Sequence, residues 1–473
     1  MTSLVPRAPY TDEELRRLYP DRLELQLVQV LMRHGERSPV SARLQNTGLR
    51  PWWPYCSDVR QMRSAVLAAA RDSDSASSTD SSFGTLEWNR RLETFGDNDE
   101  PVVARGRGGQ QDGICDMGSL TDRGRQTTYK LGLRLRDLYV DRLGFIPPTM
   151  SSTDFLYLRA TPVPRAMESL HQAFSALYPP SAREAGPDGK FPTATILARV
   201  PGDETLYPND GNCRRFAALS RAFAQRAADR WNNTPEMDYL HKQFGKWLPP
   251  DTKMAVDSRP RLSGIQDTVN ATDAHGPETR LPGEFYDPKA REIMAKIAVE
   301  EWFAGFKESK EYRMLGIGSL LGDVVGRMVG SVEQGNHPGR IRFGLSGCHD
   351  TTLAGVLASM GAYETNEWPP FTSHLAIEMF KESSTPSPVP AKSSWWSSLF
   401  GSATTPAGIG RKPTEQLTAS EKNKLDGYYV RMRYNDEPVT VPACRLPGNH
   451  LEGDESFCTL VSALSSRTAI DEE

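Results

Sequence analysis

The chain has 473 residues, of which 38% are apolar and 25% charged, the composition of an ordinary folded protein and not of a disordered or fibrous one. A formal net charge of −4 leaves no electrostatic footprint for nucleic acid or an anionic membrane, so an anionic ligand would need a local cluster of cations. The length points to one large core with a smaller inserted or appended unit, because single cores stop growing near ~250–300 residues.

Residues 1–20 read as an N-terminal extension. They hold no apolar run of signal-peptide length, and Asp12, Glu13 and Glu14 are acids that a transit peptide lacks. No stretch reaches the ~18–20 continuous apolar residues of a membrane span, so the expectation is a soluble, cytoplasmic chain without stable membrane insertion. The six cysteines, at 56, 115, 213, 348, 444 and 458, show no CxxC and no zinc spacing. Scattered reduced thiols fit a cytosolic chain, while Cys444 and Cys458 are close enough in sequence to bridge a C-terminal loop.

An α/β core is expected in two parts, 21–205 and 285–465. Residues 23–32 alternate and then become continuously apolar, as a strand entering a sheet buried on both faces does. The strand ends at the polar run Arg33-His34-Gly35-Glu36-Arg37-Ser38-Pro39, and open α/β sheets place ligands at such strand ends. Residues 72–82 are low in complexity and read as a mobile loop. From Leu120 to Tyr139 the pattern is helical, with Thr121 or Asp122 as cap. A short strand over 154–159 delivers Arg159, and a helix follows at once, with Thr161 as cap and Pro162 in the first turn. Residues 206–284 carry little strand signal and read as a smaller helical cap. Helices are expected at 288–304 and 312–330, then a strand at 341–346, a turn at 347–350 and a helix ended by Gly361. Strands at 374–380 and 427–434 alternate and look antiparallel. Between them, 382–424 is rich in Ser, Pro, Thr and Lys and reads as a disordered insertion, with an apolar island at Trp395–Phe400 that packs on its own domain or meets a membrane or partner. Residues 466–473 form a tail.

Three strand ends therefore carry Arg33, His34, Arg37, Arg159, His349 and Asp350. Phosphoryl transfer needs an anion cradle, an in-line nucleophile and a proton donor for the leaving oxygen. Guanidinium groups supply planar, bidentate donors, and their mutual repulsion in a partly dry pocket is relieved by a dianion. A histidine among them has its pKa pushed down and keeps a free lone pair, the state a nucleophile needs. Asp350 can act as general acid if it is protonated when substrate is bound. Taken singly, an Arg-His-Gly is usually a satisfied turn and a His-Asp pair a helix start. The repeated strand–turn–helix architecture with complementary chemistry favours a phosphate site.

At these residues the sequence resembles the histidine acid phosphatases. LVQVLMRHGERSPV at 27–40 is similar to the RHGxRxP signature, and SGCHDTTLAGVLASMG at 346–361 to the His-Asp segment. GSLTDRGRQTTYKLGLRLRDLYV at 118–140, LYLRATPVPRAMESL at 156–170 and CRLPGNHLEGDESFC at 444–458 resemble further family elements, and ETLYPNDGNC at 204–213 looks most like the lysophosphatidic acid phosphatase branch. The resemblance implies a phosphoglycerate-mutase-like three-layer α/β/α core with a mixed central sheet and a smaller α-helical cap. It implies His34 as nucleophile, Arg33, Arg37, Arg159 and His349 as phosphate ligands, Asp350 as proton donor, and no metal or other cofactor. It also offers a mitochondrial address as the alternative to a cytoplasmic one.

The expected activity is hydrolysis of a small-molecule or lysolipid phosphate monoester through a phosphohistidine, favoured in mild acid and independent of metal. Two other readings compete. A mutase would return the phosphate to another hydroxyl, and a catalytically weak binding protein would use the site only to hold a phosphate ligand.

Overall fold

The computed structural model describes residues 2–5, 7–57, 62–67, 83–187, 189–335, 337, 339–383 and 408–465. The expected mobile loop at 72–82, the apolar island at 395–400 and the tail at 466–473 lie outside these residues.

The chain opens with α1 (Asp12–Leu18), whose first turn is capped by the Thr11 hydroxyl, and enters β1 (Leu23–Arg33). Two small hairpins follow: β2 (Met62–Leu67) with β3 (Phe83–Trp88), and β4 (Glu93–Phe95) with β5 (Pro101–Val103). The first part of the core then adds α2 (Asp122–Arg136), β6 (Leu156–Ala160), α3 (Pro164–Leu177) and β7 (Ile196–Leu197). A helical stretch holds α4 (Arg214–Trp231), α5 (Pro235–Phe244), α6 (Leu262–Asp273), α7 (Pro288–Glu308), α8 (Lys310–Gly316) and α9 (Gly318–Gln334). The chain returns to the core with β8 (Phe343–Cys348), α10 (Asp350–Ser359) and β9 (His374–Glu382). It closes with α11 (Ala419–Leu425), β10 (Tyr428–Tyr434), β11 (Glu437–Val439), β12 (His450–Leu451), β13 (Asp454–Thr459) and α12 (Leu460–Ser465).

Nine strands form one mixed sheet in the order β12-β13-β10-β9-β1-β8-β6-β7, with β11 on β10. β1, β8, β6 and β7 run parallel, whereas β9 and β10 are antiparallel to their neighbours, as their alternation predicts. Strand alternation sorts β1 between two layers. Val28, Val30 and Met32 pack with Leu131, Leu135 and Leu170 of α2 and α3, while Leu27 and Leu31 pack with residues of α9 and α10 such as Val325 and Leu353. This is an α/β fold of three layers. The register sets Arg33 beside Cys348 and Ala160 beside Gly347, so three parallel strands end level with one another. That common edge carries the site.

A third buried cluster lies in the helical stretch. It joins Trp231, Met237, Phe244 and Ile265 to Leu44 and Trp53 from the loop after β1, and to Ile293 and Ile297 from the first half of α7. The second half of α7, at Phe303 and Phe306, packs into the core instead. One helix thus spans the helical unit and the core, fixing the wall of the cleft between them.

Several expectations need correction. The helix after β6 starts at Pro164, not at Pro162, with Val163 at its N-cap. Proline holds the preceding residue extended, and Val163 sits at φ −122, ψ 125, so the doublet of prolines delays the helix. The helix expected over 312–330 is two, α8 and α9, bent by 67° at Ile317. Among the described residues no single helix is long and apolar enough to cross a membrane. Within the insertion expected to be disordered over 382–424, residues 408–424 are ordered: Ile409 and Leu417 are buried in the main core, as is Leu425 just beyond. The Cys444–Cys458 bridge that the sequence offered is present, and Cys56 and Cys115 are paired rather than reduced, which leaves Cys213 and Cys348 free. The Cys56–Cys115 pair, 59 residues apart, was invisible to spacing.

On the sheet, Glu378 of β9 is fully buried and accepts from Arg431 Nε at 3.0 Å and Nη2 at 2.7 Å, and from the hydroxyls of Tyr139 and Tyr19. Burial alone would raise its pKa; Arg431 and Arg433 bring it below the ordinary value. Its contribution is therefore present above the unfolded carboxyl pKa and lost as pH falls through the folded one. Glu378→Ala leaves two buried guanidinium groups without their carboxylate. It should destabilise the fold by ~3–5 kcal/mol, read as a shift in the urea midpoint at neutral pH.

Candidate active site

β1 stops being apolar at Arg33, and the next residues turn across the end of β8. The His34 amide donates to the Cys348 carbonyl at 3.0 Å, and the Gly35 amide to Ser169 Oγ at 3.1 Å. Gly35 faces Gly124 at the start of α2. A Cβ on Gly35 would fall 2.4 Å from the Gly124 oxygen, and one on Gly124 2.2 Å from the Glu36 oxygen, so this turn requires both glycines.

The imidazole of His34 is buried, with Nδ1 2.9 Å from the Gly35 carbonyl. A carbonyl can only accept, so Nδ1 carries the proton and Nε2 keeps a lone pair. Burial, then the charges of Arg165, Arg33 and Arg37, hold the His34 pKa well below the ordinary imidazole value. The ring stays neutral in acid.

Around it, Arg33 Nη1 donates to the Pro369 carbonyl at 2.5 Å, and its guanidinium stacks over Phe371 at 4.1 Å. Arg33 Nη2 meets Asp350 Oδ2 at 2.7 Å. Arg37 Nη2 donates to Asp267 Oδ1 of α6 at 2.7 Å. His349 closes the far side, its ring edge-on to His34 at 5.5 Å and its Nε2 3.0 Å from the Thr161 hydroxyl. Burial, with Arg165 next, pushes the His349 pKa down to about 3. Asp350 begins α10 and accepts from its own helix at the Thr351 amide, 2.8 Å, and from Trp368 Nε1 at 2.9 Å. Its burial would raise the carboxyl pKa, but Arg33 and the Trp368 bond outweigh it and bring it down to about 2. Arg33, Arg37 and Asp350 line a cleft of about 540 Å³, whose outer wall includes Arg43, Arg259 and Trp302.

Arg33, His34, Arg37, His349 and Asp350 thus converge, but Arg159 does not join them. Its side chain leaves β6 on the face covered by α9 and is held in a separate buried charge cluster. Nη2 donates to Glu204 Oε1 at 2.5 Å and to Thr205 at 3.0 Å, and Nη1 lies 3.4 Å from Asp323 of α9. The third cation acting on both imidazoles is Arg165, in the first turn of α3. Burial and the neighbouring Arg37 lower its own pKa to about 10. Among the described residues it has no ion-pair partner, and its buried Nε makes no hydrogen bond. A cation in the first turn of a helix opposes the helix dipole. That placement is the sequence signal that distinguishes Arg165 from Arg159: such a residue is tolerated where an anion is to be held at the helix N-terminus.

The sequence profile of the histidine phosphatase superfamily (branch 2) matches residues 24–435. The chain belongs to this superfamily. It is 35% identical over 450 residues to a probable acid phosphatase of Schizosaccharomyces pombe, covering 93% of this chain and 91% of that one. It is 24% identical to the human lysophosphatidic acid phosphatase type 6, over 76% of this chain and 74% of that one. Among solved structures, the phytase of Klebsiella sp. ASR1 superposes with a TM-score of 0.53 at 13% identity over 95% of both chains. The multiple inositol polyphosphate phosphatase of Bifidobacterium longum gives 0.51 at 13% identity over 97% of this chain and 95% of that one. At that identity these two share the fold.

The protein is accordingly a phosphatase, a hydrolase of small phosphate monoesters. For a histidine phosphatase, the residues that pattern reading missed are the ones that arrive from elsewhere in the fold. Thr161 bonds His349 instead of capping a helix, Trp368 holds Asp350, and Asp267 reaches Arg37 from α6.

Proposed function

We propose that this phosphatase works through a phosphohistidine on His34. Nε2 attacks phosphorus in line as the ester P–O bond breaks, and Asp350 gives its proton to the departing oxygen. Water then attacks the phosphohistidine, returning a proton to Asp350 and releasing inorganic phosphate. Arg33, Arg37, Arg165 and His349 hold the phosphoryl oxygens throughout. The observation that carries this reading is the His34 imidazole fixed with its proton on Nδ1 and its Nε2 free, among three arginines and opposite Asp350. The three guanidinium groups and the neutral imidazole also suit an oxyanion-stabilising cradle. Arg165→Ala should lower kcat/KM for an aryl phosphate ~10²–10³-fold. Arg159→Lys, which keeps the charge beside Glu204, should leave the phosphate KM within a few-fold. Steady-state kinetics of both variants test the assignment, and the reverse ranking would overturn it.

The substrate reading we favour is a monoester with an apolar segment, of the lysophosphatidic acid type named for the human relative. A chamber of about 220 Å³ adjoins the cleft, sharing Arg261, Trp302 and Thr351 with it, and its walls include Phe216, Phe303, Phe306 and Tyr312. Thr351 follows the proton donor, so the leaving group is the part of the substrate that reaches this chamber. Each methylene buried there is worth ~0.8 kcal/mol. Ala217 lines the chamber, and Ala217→Trp should reduce kcat/KM for an acylated glycerol phosphate at least tenfold while glycerol 3-phosphate changes little. Equal losses on both substrates would sink the lipid reading and leave the phosphatase reading intact.

A further inference from the structure

A further cavity, of about 440 Å³, shares no lining residue with the catalytic cleft or its adjoining chamber. One wall is a single stripe of α2, with Arg123, Gln126, Thr127, Lys130 and Arg134 spaced at three and four residues so that they share a helix face. The facing wall is formed by the N-terminal segment at Ser3, Leu4, Val5 and Arg7, and by Thr372, His374, Asn435 and Asp436. Four lining side chains are cationic and one is a carboxylate.

The cations are unequally occupied. Arg7 is held by Glu14 at 3.2 Å and Glu437 at 2.8 Å, and Arg134 by Asp436 at 2.5 Å. Among the described residues, Arg123 forms an ion pair only with Glu36, at 3.6 Å, and Lys130, which is exposed, forms none. Lys130 stands one turn from Arg134 on α2, and the carboxylate beside them, Asp436, is held by Arg134, which leaves the Lys130 charge without its own counter-ion among the described residues. Three lining side chains also carry buried polar atoms that make no hydrogen bond: Ser3 Oγ, Arg7 Nη1 and His374 Nδ1. Leu4, Val5 and Leu131 supply apolar surface in the same cavity.

We propose that this cavity binds a small anion, a phosphate or carboxylate group on an apolar body, with the charge between Arg123 and Lys130 and the body against Leu4, Val5 and Leu131. Its position couples it to the nucleophile. The Thr127 hydroxyl donates to Glu36 Oε2 at 2.5 Å and meets the Thr372 hydroxyl at 2.9 Å. The Thr372 amide donates to the His34 carbonyl at 3.3 Å, from a backbone held at φ 67, where a β-branched residue is strained. An anion that draws Arg123 from Glu36 leaves that buried carboxylate less compensated, two residues from His34 in the same turn. Occupancy here weakens anion binding in the cleft, and by linkage the cleft's ligand weakens binding here by the same factor.

The test uses phenylphosphonate, a non-hydrolysable anion with an apolar body, and the full-length protein. Calorimetry should read two sites per chain in the wild type and one in Arg123→Glu/Lys130→Glu, and a crystal of the wild-type complex should show the second ligand against α2. Against an aryl phosphate, phenylphosphonate should raise the slope of reciprocal plots along a curve as its concentration grows in the wild type, and along a straight line in the double variant, with the intercept unchanged in both. If the double variant fails to fold, Lys130→Glu alone, at an exposed position, should weaken the second site about tenfold. A single site in the wild type, or a second site indifferent to these charge reversals, overturns the proposal. Calorimetry reads these outcomes without turnover, so they stand apart from the phosphohistidine reading.

Discussion

His34→Ala should reduce kcat for an aryl phosphate by at least ~10⁴-fold, the scale on which loss of a nucleophile acts in enzymes that form a covalent intermediate. An aryl leaving group needs little protonation, so the loss isolates the attack step from the work of Asp350. Phosphate binding should survive, because Arg33, Arg37 and Arg165 remain and the variant removes a neutral ring, not a charge. Inorganic phosphate should therefore bind His34→Ala within about an order of magnitude of the wild type while turnover is lost. Rapid quench of the wild type with labelled substrate should trap phosphate in an acid-labile, base-stable bond at position 34. Label on a serine or aspartate, or turnover by His34→Ala near the wild-type rate, would sink the mechanism. Near-equal weak rates in both proteins would instead favour a phosphate-binding protein over an enzyme of this kind.

What could be read from the sequence divides along a physical line. β1 was legible because a strand buried on both faces must be apolar without interruption, so the break at Arg33 marks the sheet edge. His34, His349 and Asp350 were legible because each lies within two residues of such an edge. The third arginine of the cradle was placed at Arg159 because that residue stands at the end of β6, whereas Arg165 stands across the same strand–helix junction. The choice between them depends on which face of β6 is covered by α9 and on a carboxylate, Glu204, far along the chain. Composition misled at 408–424: Ser, Thr and Lys suggested disorder, yet Ile409 and Leu417, with Leu425 just beyond, anchor the stretch to the core. Cys56–Cys115 and the bond from Asp267 to Arg37 are long-range closures, and no local pattern encodes them.

Asp350→Asn should separate substrates by leaving group. General acid catalysis contributes typically ~10²–10⁴-fold, and an alkyl phosphate needs all of it. The variant should lose on that order against glycerol 3-phosphate and no more than about tenfold against a nitrophenyl phosphate. The pH dependence follows from the ion pair with Arg33. In the free site Asp350 is held to about 2, hence ionised through the working range, and it must gain a proton after substrate binds. A phosphate monoester carries its second proton below ~pH 6 and can bring that proton in as the monoanion. Once bound, the phosphoryl group competes for Arg33 and adds negative charge beside the carboxyl, and both effects raise the Asp350 pKa. Wild-type kcat/KM on alkyl esters should then fall as pH rises through ~6, where the monoanion disappears. The acid limb should stay flat to lower pH than an ordinary histidine nucleophile allows, because His34 titrates well below its usual value and His349 near 3. Asp350→Asn should flatten the alkaline fall for alkyl esters, since its amide has no proton to regain. An unchanged pH profile in that variant would remove Asp350 from the proton transfer and move the general acid elsewhere in the cleft.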